Sequence, residues 1–205
     1  DTIVCNEMKW PVDPVEIWEG GTNGLPLQNA TTTGYYLKKY VNNTISFEAG
    51  STVTKKQHNW VLFRYGEILL NYAEAMINAF HDPNYKDAVY NMSAREAVNQ
   101  IRGRTNISLP GFPSDITEKD FVKRLKNERR VELAFEGHRF WDVRRWKELG
   151  QTANIYGVKI TKNNEVISYE KFLLETRAVT DNMYFYPIPN TERFKNPNLG
   201  QNLGW

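Results

Sequence analysis

The sequence predicts a mainly α-helical protein: an array of helices with long irregular loops and a small β-hairpin. Residues 60–205 contain runs with helical periodicity and helix-capping signals, and near residue 160 two extended runs flank a pair of asparagines. Residues 1–59 are rich in Gly, Thr, Asn and Pro and have no sustained period. With 205 residues, 40% of them hydrophobic, the chain is long enough to bury a core, and we expect one domain.

The first helix is expected in WVLFRYGEILLNYAEAMINAF, residues 60–80. At about 100° per residue, nearly every side chain outside one polar strip roughly 80° wide is apolar. That strip consists of Arg64, Glu67, Asn71, Glu74 and Asn78. Because so narrow a polar strip requires cover on several sides, we expect this helix to lie inside an array of helices.

Two further helices are indicated by their capping residues. Ser93 with Glu96 three residues later forms a capping box, in which each side chain bonds the other residue's free backbone N–H. Thr117 with Asp120 opens a third helix in the same sense, after a break at Pro110, Gly111 and Pro113. The helix after Ser93 has a narrow face of small residues that predicts close packing: Ala94, Ala97, Val98 and Ile101.

After residue 150 the pattern changes. The run YGVKITKNNEVISYE predicts a β-hairpin around Asn163 and Asn164, since asparagine tolerates the left-handed backbone of a tight turn. The final segment, residues 183–205, has three prolines, five aromatic residues and no periodicity. We expect it to be pinned onto a core.

Composition excludes several classes of function. The 26 basic and 24 acidic side chains give a net charge of +2, which predicts no nucleic-acid partner. The single cysteine, Cys5, has no companion ligands, so we expect no disulfide and no metal site. The sequence contains no apolar run near the 18 or so residues of a membrane span and no familiar catalytic or cofactor motif. No cofactor is expected.

The stretch ERRVELAFEGHRFWDVRRW, residues 128–146, concentrates carboxylates and arginines. On one continuous helical wheel, five of these charged side chains fall among core residues: Glu128, Arg129, Glu132, Glu136 and Arg139. Since a buried carboxylate without a partner costs several kcal/mol, we interpret them as a structural ion network. Arg129 and Arg139 lie three positions from a glutamate, and Arg102 or Arg104 is a further candidate partner. Gly137 either admits a close neighbour or marks a break.

A catalytic interpretation of the same stretch is weaker. A glycosidase needs two carboxyl groups set apart across a cleft, which one helix face does not provide. His138 lies four residues before Asp142, a spacing that orients an imidazole but is more often found at half-exposed helix positions.

Four runs together resemble the C-terminal half of the SusD/RagB family, in order and spacing: FRYGEILLNYAEA, AVNQIRGRTN, ERRVELAFEGHRFWDVRRW and YPIPNTERFKNPNLGQNLGW. Gly66 departs from the family, which tends to carry a bulkier residue there. Members are typically more than twice this length, so we expect this chain to be the C-terminal portion of a longer protein. Residues 1–59 would be a loop-rich segment packed on the helical core and facing the ligand, and residues 60–205 the helical region with its irregular tail.

The resemblance implies a tetratricopeptide-like helical array and no enzyme. It implies a lipoprotein on the outer face of the cell outer membrane that binds oligosaccharides, or peptides, and partners a SusC-like TonB-dependent transporter. The lipid would be attached at an N-terminal cysteine outside this chain, not at Cys5.

Ligand binding in this family is implied to use aromatic rings on irregular loops, where a ring covers the apolar face of a sugar. By placement we select Trp10, Trp18, Tyr35 and Tyr36, although each ring is also a candidate core or interface anchor. Two other functions stay open: a helical-repeat protein that binds only peptide or protein partners, and a glycoside hydrolase.

Overall fold

The computed structural model describes residues 15–42, 45, 56–57, 59–105 and 107–205. The mainly helical fold with a small hairpin is confirmed. The elements are α1 (Tyr65–Phe80), α2 (Ala94–Arg102), α3 (Glu118–Glu132), α4 (His138–Arg145), β1 (Asn154–Asn163), β2 (Val166–Thr176) and α5 (Asn190–Lys195), with short 3-10 turns at Leu149–Thr152 and Asp181–Tyr184. The chain divides into a helical unit, His58–Asp142, and a loop–hairpin unit, Asp1–Gln57 with Val143–Trp205.

The core of the helical unit is formed by α1, α2, α3 and the segment before α3. The predicted small-residue face of α2 is fully buried, and α2 packs on α1 through it. The buried apolar residues of this core are Leu69, Leu70, Ala73, Met76, Ile77, Ala94, Ala97, Val98, Ile101, Phe112, Phe121, Leu125 and Leu133. Phe112 and Phe121 meet edge to face, with ring centroids 5.7 Å apart.

The capping signals are confirmed. Ser93 Oγ accepts a hydrogen bond from the Glu96 N–H at 3.2 Å, and the Glu96 carboxylate accepts one from the Ser93 N–H at 2.8 Å. Thr117 Oγ1 accepts from the Asp120 N–H at 3.2 Å. Each helix therefore begins after a residue, Ser93 or Thr117, whose side chain accepts a hydrogen bond from a free backbone N–H of the first turn.

The boundaries of α1 differ from the sequence expectation. The helix begins at Tyr65 and not at Trp60, because Arg64 has an extended backbone. The side chain of Arg64 is instead drawn to Glu132, whose backbone carbonyl it meets at 2.6 Å.

The continuous helical wheel applied to residues 128–146 does not hold, and the break considered at Gly137 is present. Helix α3 ends at Glu132, and α4 starts afresh at His138. Phe135 and Gly137 between them have left-handed backbones, with φ of 61° and 80°. A Cβ added to Gly137 would meet nothing within 4 Å, so this glycine serves the backbone turn and marks a break.

The predicted hairpin is confirmed, with Asn163 opposite Val166 and a left-handed Asn164 in the turn. The loop before residue 42 is bonded to the outer edge of β1. The Glu19 N–H donates to the Ile160 carbonyl, and the Val158 N–H donates to the Thr33 carbonyl, both at 2.8 Å. This part of the loop-rich segment therefore has a fixed backbone.

The C-terminal tail is fixed by amide side chains. The Gln201 side chain accepts from the Ile188 N–H at 2.7 Å and donates to the Ile188 carbonyl at 3.0 Å. The Trp205 indole N–H is shared by the carbonyls of Asn182 and Phe185. Most aromatic rings of the tail are exposed, and Phe194 is 84% exposed. Hydrogen bonds, and not buried rings, therefore hold this segment.

Candidate ligand-binding loop and buried ion network

Trp18 lies in the loop beside β1 and is half-buried. The Lys162 ammonium lies 4.5 Å from its ring centroid, so one ring face is taken by a cation–π contact. The Trp18 backbone is packed closely as well, since a Cβ on Gly24 would lie 2.0 Å from the Trp18 carbonyl oxygen. These contacts make Trp18 a support of the loop.

Tyr36 also builds the loop. Its hydroxyl donates to the Asn23 carbonyl at 2.7 Å and accepts from the Thr31 N–H at 3.2 Å. The Asn23 side chain in turn accepts from the Glu16 N–H at 3.1 Å. The phenol of Tyr36 thus ties together three stretches of an otherwise irregular chain.

Tyr35 is placed differently. It is 46% exposed, and it follows Gly34, whose left-handed backbone packs against the Val158 carbonyl of β1. Tyr35 therefore presents a ring to solvent from a fixed backbone. Tyr40, 48% exposed in the same run GYYLKKY, is a further ring that sequence reasoning left out, although its position in that run was a usable signal. Trp10 lies outside the described residues.

A second surface is an open groove of about 680 Å³ along α2. Asn91, Met92, Glu96, Asn99, Gln100 and Gly103 line it. Two of its polar groups already have structural partners. Glu96 bonds Lys86 and the Ser93 N–H, and the Asn99 side chain accepts from the Phe112 N–H at 2.7 Å. The groove therefore offers fewer available polar groups than its lining indicates.

The glutamates of residues 128–142 pair with three arginines from outside that stretch: Arg64, Arg102 and Arg104. Arg64, directly before α1, pairs with Glu132 at 2.6 Å and with Glu136 at 2.7 Å. Gly66 leaves room for this contact, because a Cβ there would lie 2.8 Å from the Arg64 guanidinium and 3.3 Å from the Glu132 carboxylate. The SusD/RagB family tends to carry a bulkier residue at position 66. In this chain the position lacks a side chain at the place where the Arg64 guanidinium meets the Glu132 carboxylate.

The remaining carboxylates are held in the same way. Arg104 binds both oxygens of Glu132, at 2.9 and 2.7 Å, and Arg102 pairs with Glu128 at 2.5 Å. His138 Nε2 lies 3.6 Å from Glu67, a residue of the α1 polar strip. That strip therefore faces charged groups of the segment after α3.

Arg129 and Asp142 form a pair at 2.8 Å in which both side chains are almost fully buried. Arg129 also donates to the Asn71 side chain at 2.6 Å. Sequence spacing predicts Glu132 as the partner of Arg129, and it places Asp142 near His138 only. The break between α3 and α4 lets the chain return, so a residue 13 positions away supplies the charge. Arg139, half-buried in α4, is also engaged by neighbouring groups.

Two members of these pairs, Glu132 and Arg64, have shifted pKa values. Burial would raise the pKa of Glu132, but hydrogen bonds from Arg104 and Arg64 outweigh it, and the pKa is lowered. Burial would likewise lower the pKa of Arg64, but its bonds to Glu136 and Glu132 raise that pKa above the ordinary value. A general acid needs a carboxyl group with a raised pKa, and Glu132 has the opposite environment. Within the described residues there is no cluster of three or more His, Cys, Asp or Glu able to hold a metal ion.

The helical unit has capped helices and buried arginine–carboxylate pairs, and the loop–hairpin unit has a loop that is hydrogen-bonded to its hairpin. These features define a mainly helical class of protein. Residues 10–205 match the model of the SusD family, and the chain belongs to that family. Among the described helices, none is long and apolar enough to cross a membrane.

The chain is similar to two proteins of Formosa agariphila. SusD-like protein P2 is 29% identical over 159 residues, which are 75% of this chain and 27% of that protein. SusD-like protein P38 is 30% identical over 151 residues, 71% of this chain and 24% of that protein. The chain thus spans about a quarter of the length of these relatives.

A crystal structure of a SusD-like protein from Bacteroides fragilis is 34% identical, with a TM-score of 0.58. It covers 72% of this chain, which in turn covers 26% of that protein. This likeness confirms the tetratricopeptide-like helical fold that the resemblance implied.

Proposed function

We propose that this chain is part of a non-catalytic nutrient-binding protein of the outer membrane that binds oligosaccharide and delivers it to a SusC-like TonB-dependent transporter. Membership of the SusD family supports this role in general terms. In the proposal, the whole protein is held on the extracellular face of the outer membrane by a lipid at an N-terminal cysteine outside these 205 residues.

The observation that carries the proposal is the placement of Tyr35. A sugar ring stacks on an aromatic face that is exposed and held in position, so that little conformational freedom is lost on binding. Tyr35 satisfies both conditions, because it is 46% exposed and follows a backbone bonded to β1. Trp18 and Tyr36 would then hold the loop in shape, although Tyr36 is itself 40% exposed.

The ion network supports a non-catalytic role. Glu128, Glu132 and Glu136 are each bonded to at least one arginine at 2.7 Å or less. A glycosidase would need one of a pair of carboxyl groups to remain protonated near neutral pH. The bonds from Arg104 and Arg64 lower the pKa of Glu132 below its ordinary value, and this favours the structural interpretation.

The test is glycan binding by the intact protein, measured by calorimetry against a panel of oligosaccharides and peptides. We expect Tyr35→Ala to weaken binding about tenfold, the effect of losing a stacking contact of roughly 1.4 kcal/mol. Tyr169→Ala is the matched control, since Tyr169 is similarly exposed, at 52%, but lies on β2. Trp10→Ala and Trp18→Ala complete the set of predicted rings.

Tyr36→Phe separates positioning from contact. It keeps the ring and removes both hydroxyl bonds, so we expect weaker binding through a looser loop, with a smaller effect than Tyr35→Ala. Unchanged glycan affinity in all four ring variants would contradict the proposed surface. Binding of peptides alone would favour the peptide-uptake alternative, and turnover of a glycan lost with one carboxylate would favour a hydrolase.

A further inference from the structure

One side of α1 is apolar and bare. The helix buries Leu69, Leu70, Ala73, Met76 and Ile77 in the core of the helical unit. On another side, Tyr65 is 67% exposed, Ile68 is 50% exposed, and Ala75 and Ala79 are exposed as well. We call Tyr65, Ile68, Ala75 and Ala79 the bare strip.

The bare strip continues into the segment before the helix. Trp60, Leu62 and Phe63 are 84%, 75% and 78% exposed. Single exposed apolar residues are ordinary, but a contiguous row of large ones marks a surface that another element covers.

The polar side of α1 is not the bare one. Arg64 and Asn71 bond to groups of residues 128–136, and Glu67 is buried beside His138. The sequence predicted cover on several sides of this helix. The structure provides it over the core face and over Glu67 of the polar strip, and leaves the apolar remainder open.

The spacing identifies what would fit. Ile68, Tyr72, Ala75 and Ala79 follow at i, i+4, i+7 and i+11, the repeat of a seam between two packed helices. Tyr72 is half-buried, with its hydroxyl bonded to the Met92 carbonyl, so its ring forms the border of the strip. Alanines at two of these positions let a second backbone approach closely. The strip carries no charge, so its partner must present an apolar helix face.

We propose that the bare strip seats an α-helix from the part of the longer protein that these 205 residues do not include. The chain spans only 24–27% of the length of its relatives, so most of such a protein lies outside it. An amphipathic helix from that remainder would bury the apolar side of α1 and complete its cover. This goes beyond ligand binding and holds whether the ligand is a glycan or a peptide.

Thiol accessibility tests the proposal, in a Cys5→Ser background. Ala75→Cys probes the bare strip, and Ile68→Cys gives a second reading there. Ala73→Cys is the buried control, since Ala73 is 0% exposed on the same helix. Asn127→Cys is the exposed control on α3. Each rate of reaction with a thiol reagent is divided by the rate for the same variant unfolded in urea.

In the 205-residue chain we expect Ala75→Cys to react as fast as Asn127→Cys, and Ala73→Cys to react slowly. In the longer protein, purified without transporter, we expect both strip thiols to react at least about 100-fold more slowly, because the reagent must then wait for local opening. Equal rates in the two proteins would overturn the proposal. So would slow reaction already in the 205-residue chain, which would place the cover within it, or protection lost on dilution, which would indicate a second copy.

Discussion

At the scale of single residues, the pair of Arg129 and Asp142 has the most buried partners among the described ion pairs, with side chains 5% and 4% exposed. Two charges removed from water are tolerated only while each neutralises the other. Arg129 also donates one N–H to the Asn71 side chain, so its guanidinium is held between α1 and α4. Loss of Asp142 would leave this cation buried and without its counter-charge.

We therefore expect Asp142→Ala to lower the free energy of unfolding by about 3–5 kcal/mol, measured by urea denaturation. The control is Lys86→Ala, which breaks an exposed pair with Glu96 and should cost at most about 1 kcal/mol. Equal losses in the two variants would mean that burial does not govern the energy of these pairs.

Glu132 makes stability depend on pH. Its pKa is lowered in the folded state by the bonds from Arg104 and Arg64, which outweigh burial. A carboxyl group with a lowered folded pKa stabilises the fold above its unfolded pKa of about 4.3, and this contribution is lost as the pH falls through the folded pKa.

Glu132→Gln should therefore be less stable than the wild type at pH 7, and the difference should shrink as the pH falls below about 4.3. Urea midpoints at a series of pH values between 7 and 3 measure it. Glu165→Gln, at the exposed hairpin turn, controls for the loss of one negative charge. A difference that stayed constant down to pH 3 would show that Glu132 titrates alike in the folded and unfolded chains.

At the scale of elements, the turn between α3 and α4 depends on a left-handed glycine. Gly137 has φ of 80° and open space around it, so only the backbone conformation opposes a side chain there. We expect Gly137→Ala to destabilise by about 1–2 kcal/mol, the cost of a left-handed alanine.

Gly150→Ala is the matched control for this turn. Gly150 also has open space but lacks a positive φ, so alanine there should be neutral or stabilise by up to about 1 kcal/mol. Thermal unfolding of both variants measures the difference. Equal midpoints would mean that the turn re-forms around alanine without strain.

The elements that could be predicted from the sequence have local signals. Ser93 with Glu96 specifies the start of α2 through atoms three residues apart, and Asn164 specifies the hairpin turn by its own backbone tolerance. The end of α3 had a weaker signal, because the left-handed Phe135 has no local cause visible in the sequence, although Gly137 does. The helical wheel failed across this break, since its geometry assumes an uninterrupted helix.

The long-range partners could not be predicted. The sequence indicated that the glutamates of residues 128–136 need cations, but it could not decide that Arg64 would bind two of them or that Asp142 would bind Arg129. Likewise, it selected Tyr35 and Tyr36 together. Only the fold shows that the hydroxyl of Tyr36 is bonded within the loop, since the two rings are similarly exposed, Tyr35 by 46% and Tyr36 by 40%. Such choices depend on which elements meet, and not on spacing along the chain.

At the scale of the whole molecule, buried apolar residues are distributed unevenly between the two units. Among the described residues, the helical unit contains thirteen in one cluster, whereas the loop–hairpin unit contains Val143, Leu149 and Ile160. Apolar burial is the main stabilising contribution to a fold, and an isolated two-stranded hairpin is marginal in water. The two units should therefore open with different free energies.

Native-state hydrogen exchange measures this difference. We expect amides in the middle of α1 to exchange at least about tenfold more slowly than those in the middle of β1, because opening the helical unit exposes its core. Phe121→Ala removes a fully buried ring from that core and should cost about 3–5 kcal/mol. It should speed exchange in α1, α2 and α3 and leave that of β1 unchanged. The reciprocal variant, Ile160→Ala in β1, should speed exchange in the hairpin alone. If either substitution speeds exchange equally in both units, they unfold as one cooperative body, and the cores do not act separately.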